Sequence, residues 1–234
     1  LGVKKDVTDG FRFPPIPTPT FDTERTLAAL STTTDHPDRF AAAFPSHLDP
    51  EDISLKLAGA GGDGAQTTAM LITRAAINEG FDSTHIPSYG PESRGGTSYA
   101  DVHVAMTEVL APAAPHPHLL VAFNAPSLAK FGPTVRPGGI IIYDSSVIGA
   151  MPDTLADGIR LVGVPFAEVA KDLGSVLVKN VVALGALQGV TQIFPKATFL
   201  AAIRSALSGK QAMLALNEQA FERGAELSAE LANR

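Results

Sequence analysis

From residue 53 onward the sequence alternates between strand-like and helix-like segments, and this alternation is the strongest constraint on the fold. A strand pattern at 53–57 is followed by a helix pattern at 67–78, which Gly80 ends. Such alternation predicts an α/β fold: an open, mainly parallel, Rossmann-like sheet with helices on both faces. The other expected elements are strands at 98–106, 119–123, 140–143 and 159–164, and helices at 126–131, from Pro165, at 176–188, at 196–207 and at 211–231.

Residues 1–52 have a different composition, because prolines recur where a helix or central strand needs N–H donors. We interpret 1–52 as a Pro-rich, extended N-terminal arm or linker, and 53–234 as the α/β domain with its C-terminal helices. Two hypotheses for the arm stay open: a flexible tail, or a segment that lies on a partner subunit. Apolar residues between the prolines favour the second, namely Phe11, Phe13, Ile16 and Phe21.

Composition excludes several classes of function. The 234 residues carry a net charge of −6 and no block of Lys or Arg, so we expect no nucleic-acid or anionic-membrane partner. No apolar run is long enough to span a bilayer, and we expect a cytoplasmic protein. The absence of cysteine excludes thiolate-ligated iron–sulfur clusters, Cys-type zinc sites and a cysteine nucleophile within this chain.

A glycine-rich loop at 59–64 separates the first predicted strand from the first predicted helix and satisfies G-x-G-x-x-G. Three interpretations stay open: a bound dinucleotide, another anionic or nucleotide-like ligand, or a tight turn without a ligand. Asp63 argues against a dinucleotide because it places a carboxylate where phosphate would bind. Asp82 is the one candidate for the ribose-binding acid, but it lies too close to the helix end. No lysine follows in the G-K-[ST] arrangement, which excludes a P-loop.

A second stretch, 88–96, concentrates glycine, proline and charged residues. Glu92 and Arg94 either form a charge-assisted pair that locks the loop or point into a cleft.

Together these stretches resemble the gamma subunit, or gamma domain, of the 2-oxoacid:ferredoxin (acceptor) oxidoreductases, which act on pyruvate, 2-oxoglutarate, indolepyruvate or phenylglyoxylate. The family patterns are G-x-G-G-Q-G, Y-G-P-E-x-R-G-G, an Asn before L-G-A, and N-x-x-A-F-x-x-G. They match 59–64, 89–96, Asn180 with 184–186, and 217–224. The resemblance covers 53–225 but not the arm. Asp63 stands where the family has Gln, and a carboxylate only accepts hydrogen bonds.

The resemblance implies a multi-subunit, thiamine-diphosphate-dependent enzyme that oxidatively decarboxylates a 2-oxoacid to an acyl-CoA. Its complex would hold thiamine diphosphate, Mg and 4Fe–4S clusters and use CoA. The expected partners are alpha, beta and ferredoxin-like delta subunits, with a flavin or NAD subunit as an additional possibility. This chain would bind no cofactor alone, supply no catalytic or metal-binding residue, and have no activity alone. It would wall the active-site cleft and help CoA binding and assembly. The alternative is a stand-alone Rossmann-type dinucleotide-binding protein.

The resemblance also implies which residues face the ligand. These cofactor-binding residues are Gly59, Gly61, Gly62, Asp63, Gly64, Tyr89, Glu92, Arg94 and Asn180. We expect Arg94 to meet a CoA phosphate or the substrate carboxylate, Glu92 to orient it, and Asn180 to hydrogen-bond one of the loops. The competing hypothesis is that Glu92, Arg94 and Asn180 only hold the loops together.

Three weaker candidates remain. His116-Pro117-His118 has metal-like spacing but is interpreted as a solvent-facing loop. Tyr99, Asp101 and His103 are interpreted as the half-exposed face of the strand at 98–106. The stretch 144–146 follows the strand at 140–143 and is a candidate for lining the same cleft.

Overall fold

The computed structural model describes residues 52–88 and 97–232. The N-terminal arm and the segment 89–96, with Tyr89, Glu92 and Arg94, lie outside the described residues. The domain division at residue 52 stays a prediction, although Asp52 already opens the first strand.

Six strands and six α-helices alternate along the described chain. The strands are β1 (Asp52–Ala60), β2 (Asp82–Ser88), β3 (Thr97–Ala105), β4 (Leu119–Ala122), β5 (Ile140–Asp144) and β6 (Arg160–Val164). The helices are α1 (Ala65–Asn78), α2 (Ala125–Phe131), α3 (Phe166–Asp172), α4 (Lys179–Thr191), α5 (Lys196–Ala206) and α6 (Leu214–Ala232). Short 3₁₀ turns occupy Gly132–Thr134, Val176–Val178 and Gln211–Met213.

The strands form one six-stranded sheet in the order β2-β3-β1-β4-β5-β6. The pairs β1–β4, β4–β5 and β5–β6 are parallel, whereas β3 is antiparallel to both β1 and β2. The predicted open, mainly parallel α/β sheet is therefore confirmed. β2 was not predicted, because its sequence Asp-Ser-Thr-His-Ile-Pro-Ser is polar and half exposed at the sheet edge.

The two faces of the sheet are covered unequally. The first face packs on the main core, which includes side chains from α1, α3, α4, α5 and α6. The second face carries a smaller core with α2 as its helix. Helices therefore lie on both faces, as predicted, but most of the apolar burial is on one.

α4 is the central helix of the larger layer, and almost every residue along it is buried. It packs against α6 through glycines that let the two backbones touch. A Cβ added to Gly185 would lie 2.0 Å from the Phe221 carbonyl oxygen, and one added to Gly224 would lie 2.1 Å from the Val182 carbonyl oxygen. Real Cβ atoms do not approach backbone this closely, so both positions require glycine.

The second face carries polar residues that the sequence predicts to be half exposed, and this prediction is wrong. On β3, Asp101 and His103 are buried, with exposed fractions of 7% and 6%. Asp101 forms an ion pair with buried Lys56 of β1, and its other oxygen accepts from the Ala114 N–H at 3.0 Å. The connection after β3 thus covers this face, and its polar groups are paired internally.

His103 is buried among charged groups. Burial lowers the pKa of His103 because it disfavours the charged ring; Asp52 and Asp101 act in the opposite direction, and Arg136 reinforces the lowering. At neutral pH we therefore expect His103 to be uncharged.

None of the helices within 52–88 and 97–232 is long and apolar enough to cross a bilayer.

We expect Gly185→Ala to destabilise the folded chain by about 2 to 3 kcal/mol, because the new methyl group must push α4 and α6 apart. The measurement is the urea unfolding midpoint at unchanged m-value. Gly209→Ala is the control, because a Cβ there meets nothing within 4 Å; we expect a change within about 0.5 kcal/mol. Equal effects at both positions would contradict the close helix contact.

Candidate functional site

The candidate site lies at the edge of the sheet where the parallel strands end. The glycine loop leaves β1 at Ala60 and enters α1 at Ala65, so the first turn of α1 faces this edge. Lys179, the first residue of α4, reaches the same loop. In open α/β sheets, ligands bind outside the carboxyl ends of the strands.

Asp63 is the central side chain of the glycine loop. Its Oδ2 accepts from the Ala60 N–H at 2.7 Å and from Asn124 Nδ2 at 3.3 Å. Its Oδ1 accepts from Lys179 Nζ at 2.5 Å. The carboxylate therefore joins the end of β1, the start of α2 and the start of α4, and an amide at this position could not form the ion pair.

Gly64 connects the loop to α1 and lies directly against Asn180. Its backbone has a φ of +87°, and a Cβ there would approach Asn180 Cβ to 2.5 Å. Thr68 Oγ1 hydrogen-bonds the carbonyl oxygens of both Gly64 and Asn180 at 3.1 Å. The structure thus places Asn180 beside the loop, as the sequence predicts, while the role of its side-chain amide stays a prediction.

The residues that flank the segment 89–96 lie next to the glycine loop. In the sheet, Thr97 pairs with Ala60, and Ser88 pairs with Tyr99. Gln66, in the first turn of α1, contacts both ends through Nε2: it donates to the Tyr99 carbonyl oxygen at 2.7 Å and approaches the Ser88 carbonyl oxygen at 3.5 Å. Ser88 and Thr97, which flank the stretch with Tyr89, Glu92 and Arg94, therefore lie at the same edge.

Asp144 ends β5 at this edge, but its carboxylate holds the local fold. It is 1% exposed, accepts from the N–H and hydroxyl of Ser146, and accepts from the Ala167 N–H at 3.2 Å. The last contact satisfies a free N–H in the first turn of α3. The carboxylate of Asp144 is thus used within the connection from β5 to α3.

The histidines of the described part of the chain differ in their exposure and in the groups they contact. His118 lies in a loop, as predicted, but is half buried and not fully solvent-facing; its Nδ1 lies 3.0 Å from the Ser54 nitrogen, and its Nε2 lies 2.7 Å from Arg136. His116 is exposed. Burial lowers the pKa of His85, whose Nε2 lies 3.3 Å from Gln66 Oε1. Among residues 52–88 and 97–232, no three His, Asp or Glu side chains are placed to hold a metal ion.

Asp82 lies at the wrong edge for a ribose-binding acid. It pairs with Ala105, which pairs with Asp52 at the start of β1, whereas the glycine loop follows the end of β1. Its Oδ2 accepts from the Val109 N–H at 2.7 Å. The register thus supports the sequence argument against a dinucleotide.

Comparison with known proteins agrees with the arrangement of these segments. The profile of the family described as pyruvate ferredoxin/flavodoxin oxidoreductase matches residues 54–227. The chain belongs to this family. The ketoisovalerate oxidoreductase subunit VorA of Methanothermobacter marburgensis is 37% identical over 182 residues, which cover 76% of this chain and 37% of VorA. The chain therefore spans little more than a third of that relative's length.

Two solved structures share the fold. The keto/oxoacid ferredoxin oxidoreductase gamma subunit of Geobacter sulfurreducens has a TM-score of 0.66 and 26% identity, covering 76% of this chain and 99% of the other. The 2-oxoglutarate:ferredoxin oxidoreductase of Magnetococcus marinus has a TM-score of 0.71 and 25% identity, covering 78% and 32%. That structure was solved with 2-oxoglutarate, coenzyme A and succinyl-CoA bound. The resemblance to the gamma subunit is confirmed.

Sequence reasoning missed three side chains that build this edge of the family domain: Gln66, Asn124 and Lys179. Asn124 precedes Ala-Pro at the start of α2 and caps it by accepting from the Ser127 N–H at 2.9 Å, so a capping signal was present. Asp63 was itself a signal, because a carboxylate in place of Gln requires a nearby cation. Nothing in the pattern around Lys179 identifies it as that cation.

We expect Lys179→Met to destabilise the chain by about 1 to 2 kcal/mol, because it leaves the Asp63 carboxylate without its cation in a mostly buried position. Asp63→Gln in the same chain should recover part of that loss. A double-mutant cycle measured by urea unfolding gives the coupling. Arg204–Glu218 is the matched exposed pair, and its coupling should stay below about 1 kcal/mol. A coupling for Asp63–Lys179 no larger than this would contradict the central role of Asp63.

Proposed function

We propose that this chain is the gamma subunit of a thiamine-diphosphate-dependent 2-oxoacid oxidoreductase. The complex converts a 2-oxoacid and CoA into an acyl-CoA, CO₂, two electrons and one proton. This chain walls the active-site cleft, contributes to CoA binding and links the alpha, beta and delta subunits. The observation that carries the proposal is the pairing of Ala60 with Thr97, which brings the glycine loop and the residue following 89–96 to one edge of the sheet.

The residues of this chain do not fit the redox cofactors of such an enzyme. No cysteine is available for a 4Fe–4S cluster. G-D-G occurs at 62–64, but the N-N that should follow it some thirty residues later to bind magnesium and thiamine diphosphate is absent from the sequence. Thiamine diphosphate, Mg and the clusters are therefore assigned to the partner subunits, as is electron transfer to ferredoxin or to a flavin or NAD subunit.

Charge supports a role for Arg94 in binding an anion. Within the described part of the edge, Asp63 neutralises Lys179, so the glycine loop offers backbone N–H groups but no net positive side-chain charge. A guanidinium forms two parallel hydrogen bonds with phosphate or carboxylate. We assign Arg94 to a CoA phosphate, with Glu92 orienting it, and the backbone of 59–64 together with Tyr89 and Asn180 to shaping the surface that CoA meets. CoA is bound in the Magnetococcus marinus relative, which supports this assignment.

The first test is the assembly and its reaction. We expect the chain, co-expressed with candidate alpha, beta and delta subunits, to co-purify in a brown particle that reduces methyl viologen when a 2-oxoacid and CoA are both present. The chain alone should be colourless and inactive. A colourless small particle that binds NAD(P) instead would overturn the proposal in favour of a dinucleotide-binding protein.

The second test concerns CoA within the intact complex. Arg94→Ala should raise the KM for CoA about tenfold or more, since a charge-assisted hydrogen bond contributes about 1.5 to 3 kcal/mol. The kcat at saturating CoA and the KM for the 2-oxoacid should change little. Arg94→Lys should recover part of the effect, and the exposed Arg204→Ala serves as the control. An unchanged KM for CoA in an intact complex would reject the ligand role and leave Arg94 as a loop-holding residue.

A further inference from the structure

A cavity of about 650 Å³ lies at the end of the domain opposite the glycine loop. Glu79 and Gln192, the residues at the C-terminal ends of α1 and α4, both line it. The N-terminal ends of the same two helices meet at Asp63, and a 14-residue helix is about 20 Å long. The cavity is therefore separate from the proposed CoA-binding edge, and its size suits a small molecule.

The cavity contains a buried polar atom that no described group satisfies. Gln188 is 6% exposed, and its Nε2 donates to the Phe194 carbonyl oxygen at 3.2 Å. Its Oε1 is buried and has no hydrogen-bond partner among the described residues. A buried acceptor without a donor costs about 1 to 3 kcal/mol. Gln188 lines the cavity, so a turn of its amide toward the opening would let a ligand N–H group remove that cost.

The electrostatics of the cavity favour a positive ligand. α1 and α4 both direct their negative C-terminal ends at it, and neither has a basic residue in its last turn. Glu79 and Glu226 add two carboxylates to the lining.

Positive groups near the cavity offset only part of this negative charge. Lys196 is the basic residue in the lining, and its ammonium lies 3.3 Å from Glu222. The N-terminal end of α5, which carries positive potential, also faces the cavity at Pro195. In its first turn, the Thr198 hydroxyl donates to the Glu79 carboxylate. Arg223 lies 3.8 Å from Glu226 on an exposed surface, where such a pair is weak. The lining therefore keeps a net negative character.

Apolar residues form the walls of the cavity, and the backbone is strained at one residue of the lining. Ile193 and Phe194 supply buried apolar surface, and Ala225 and Ala229 of α6 supply small side chains. Gln192 has a φ of +48°, and it is the one residue other than glycine with a positive φ among those described. Glycine is the usual residue in this position at a helix end, so the chain retains a side chain at the cavity despite backbone strain.

From these observations we propose that the cavity lined by Glu79, Gln188, Gln192 and Glu226 is a second ligand site, and that its ligand is a small organic cation: an ammonium or amidinium group on an apolar body. The cationic N–H groups meet the carboxylates, and they meet Gln188 Oε1 once its amide turns toward the cavity, while the apolar body packs on Ile193 and Phe194. This inference does not depend on the proposed enzyme function.

The test uses the full chain with benzamidine as the cationic probe and benzoate as its anionic counterpart of similar shape. The readout is a ¹H–¹⁵N correlation spectrum, which resolves the side-chain amides of Gln188 and Gln192. We expect benzamidine to cause saturable shifts at these amides and in 225–229, with a Kd of about 1 mM, as befits so small a probe. Benzoate should cause no saturable shift there. No binding of benzamidine, or equal binding of both probes, would overturn the proposal.

Variants test the location. Ala229→Trp should fill the cavity and weaken binding at least tenfold, whereas Ala215→Trp, at an exposed position on the same helix, should leave binding unchanged. Glu226→Gln changes only an exposed carboxylate and should weaken binding about threefold. It carries the test if Ala229→Trp does not fold. Unchanged binding in a folded Ala229→Trp, or in Glu226→Gln, would place the probe elsewhere and overturn the proposal.

Discussion

The Asp63 carboxylate holds together the edge of the sheet on which the proposed function depends. Its contacts with Ala60, Asn124 and Lys179 connect three elements that are far apart in sequence. Each partner satisfies part of the carboxylate's need for donors, which a mostly buried charge requires. The loop geometry is thereby tied to the placement of α2 and α4. A neutral side chain at position 63 would link these elements with weaker bonds and would leave Lys179 without its anion.

α4 connects the Asp63 cluster to the opposite end of the domain. Its first residue bonds Asp63, its middle touches α6 through Gly185, and its last turn lines the second cavity. Because the helix is buried along its length and its glycine contacts leave no room for sliding, it behaves as a rigid connection. Displacing either end of α4 therefore strains the contact with α6. This arrangement explains why a helix with little amphipathic character occupies the centre of the larger layer.

The alternation of strand and helix patterns was enough to predict the α/β sheet, since β4 and β5 are strongly apolar and β1 and β3 alternate apolar with polar residues. α1 begins two residues earlier than predicted because Gly64, not Thr67, turns the chain into it. The exposure of the polar face of β3 was predicted wrongly. The alternation of residues shows which face of a strand is polar, but a polar face is exposed only when no partner pairs with its polar groups. Lys56 supplies that partner for Asp101 from a strand 45 residues away. Likewise, Lys179 meets Asp63 across 116 residues, a distance over which local patterns carry no information.

The substitution of Asp for Gln at position 63 changes how the edge attracts an anion. In the family pattern that the chain resembles, the loop has the neutral amide of Gln, and the N-terminal ends of helices give the edge a positive potential. In this chain, Asp63 adds a negative charge and Lys179 returns a positive one, so the pair contributes no net charge to the loop. Lys179 stands at the N-terminal end of α4, where a cation is unfavourable unless it is paired. The pair therefore holds the loop without adding positive charge, which is why the proposed function assigns the attraction for a phosphate or carboxylate to Arg94.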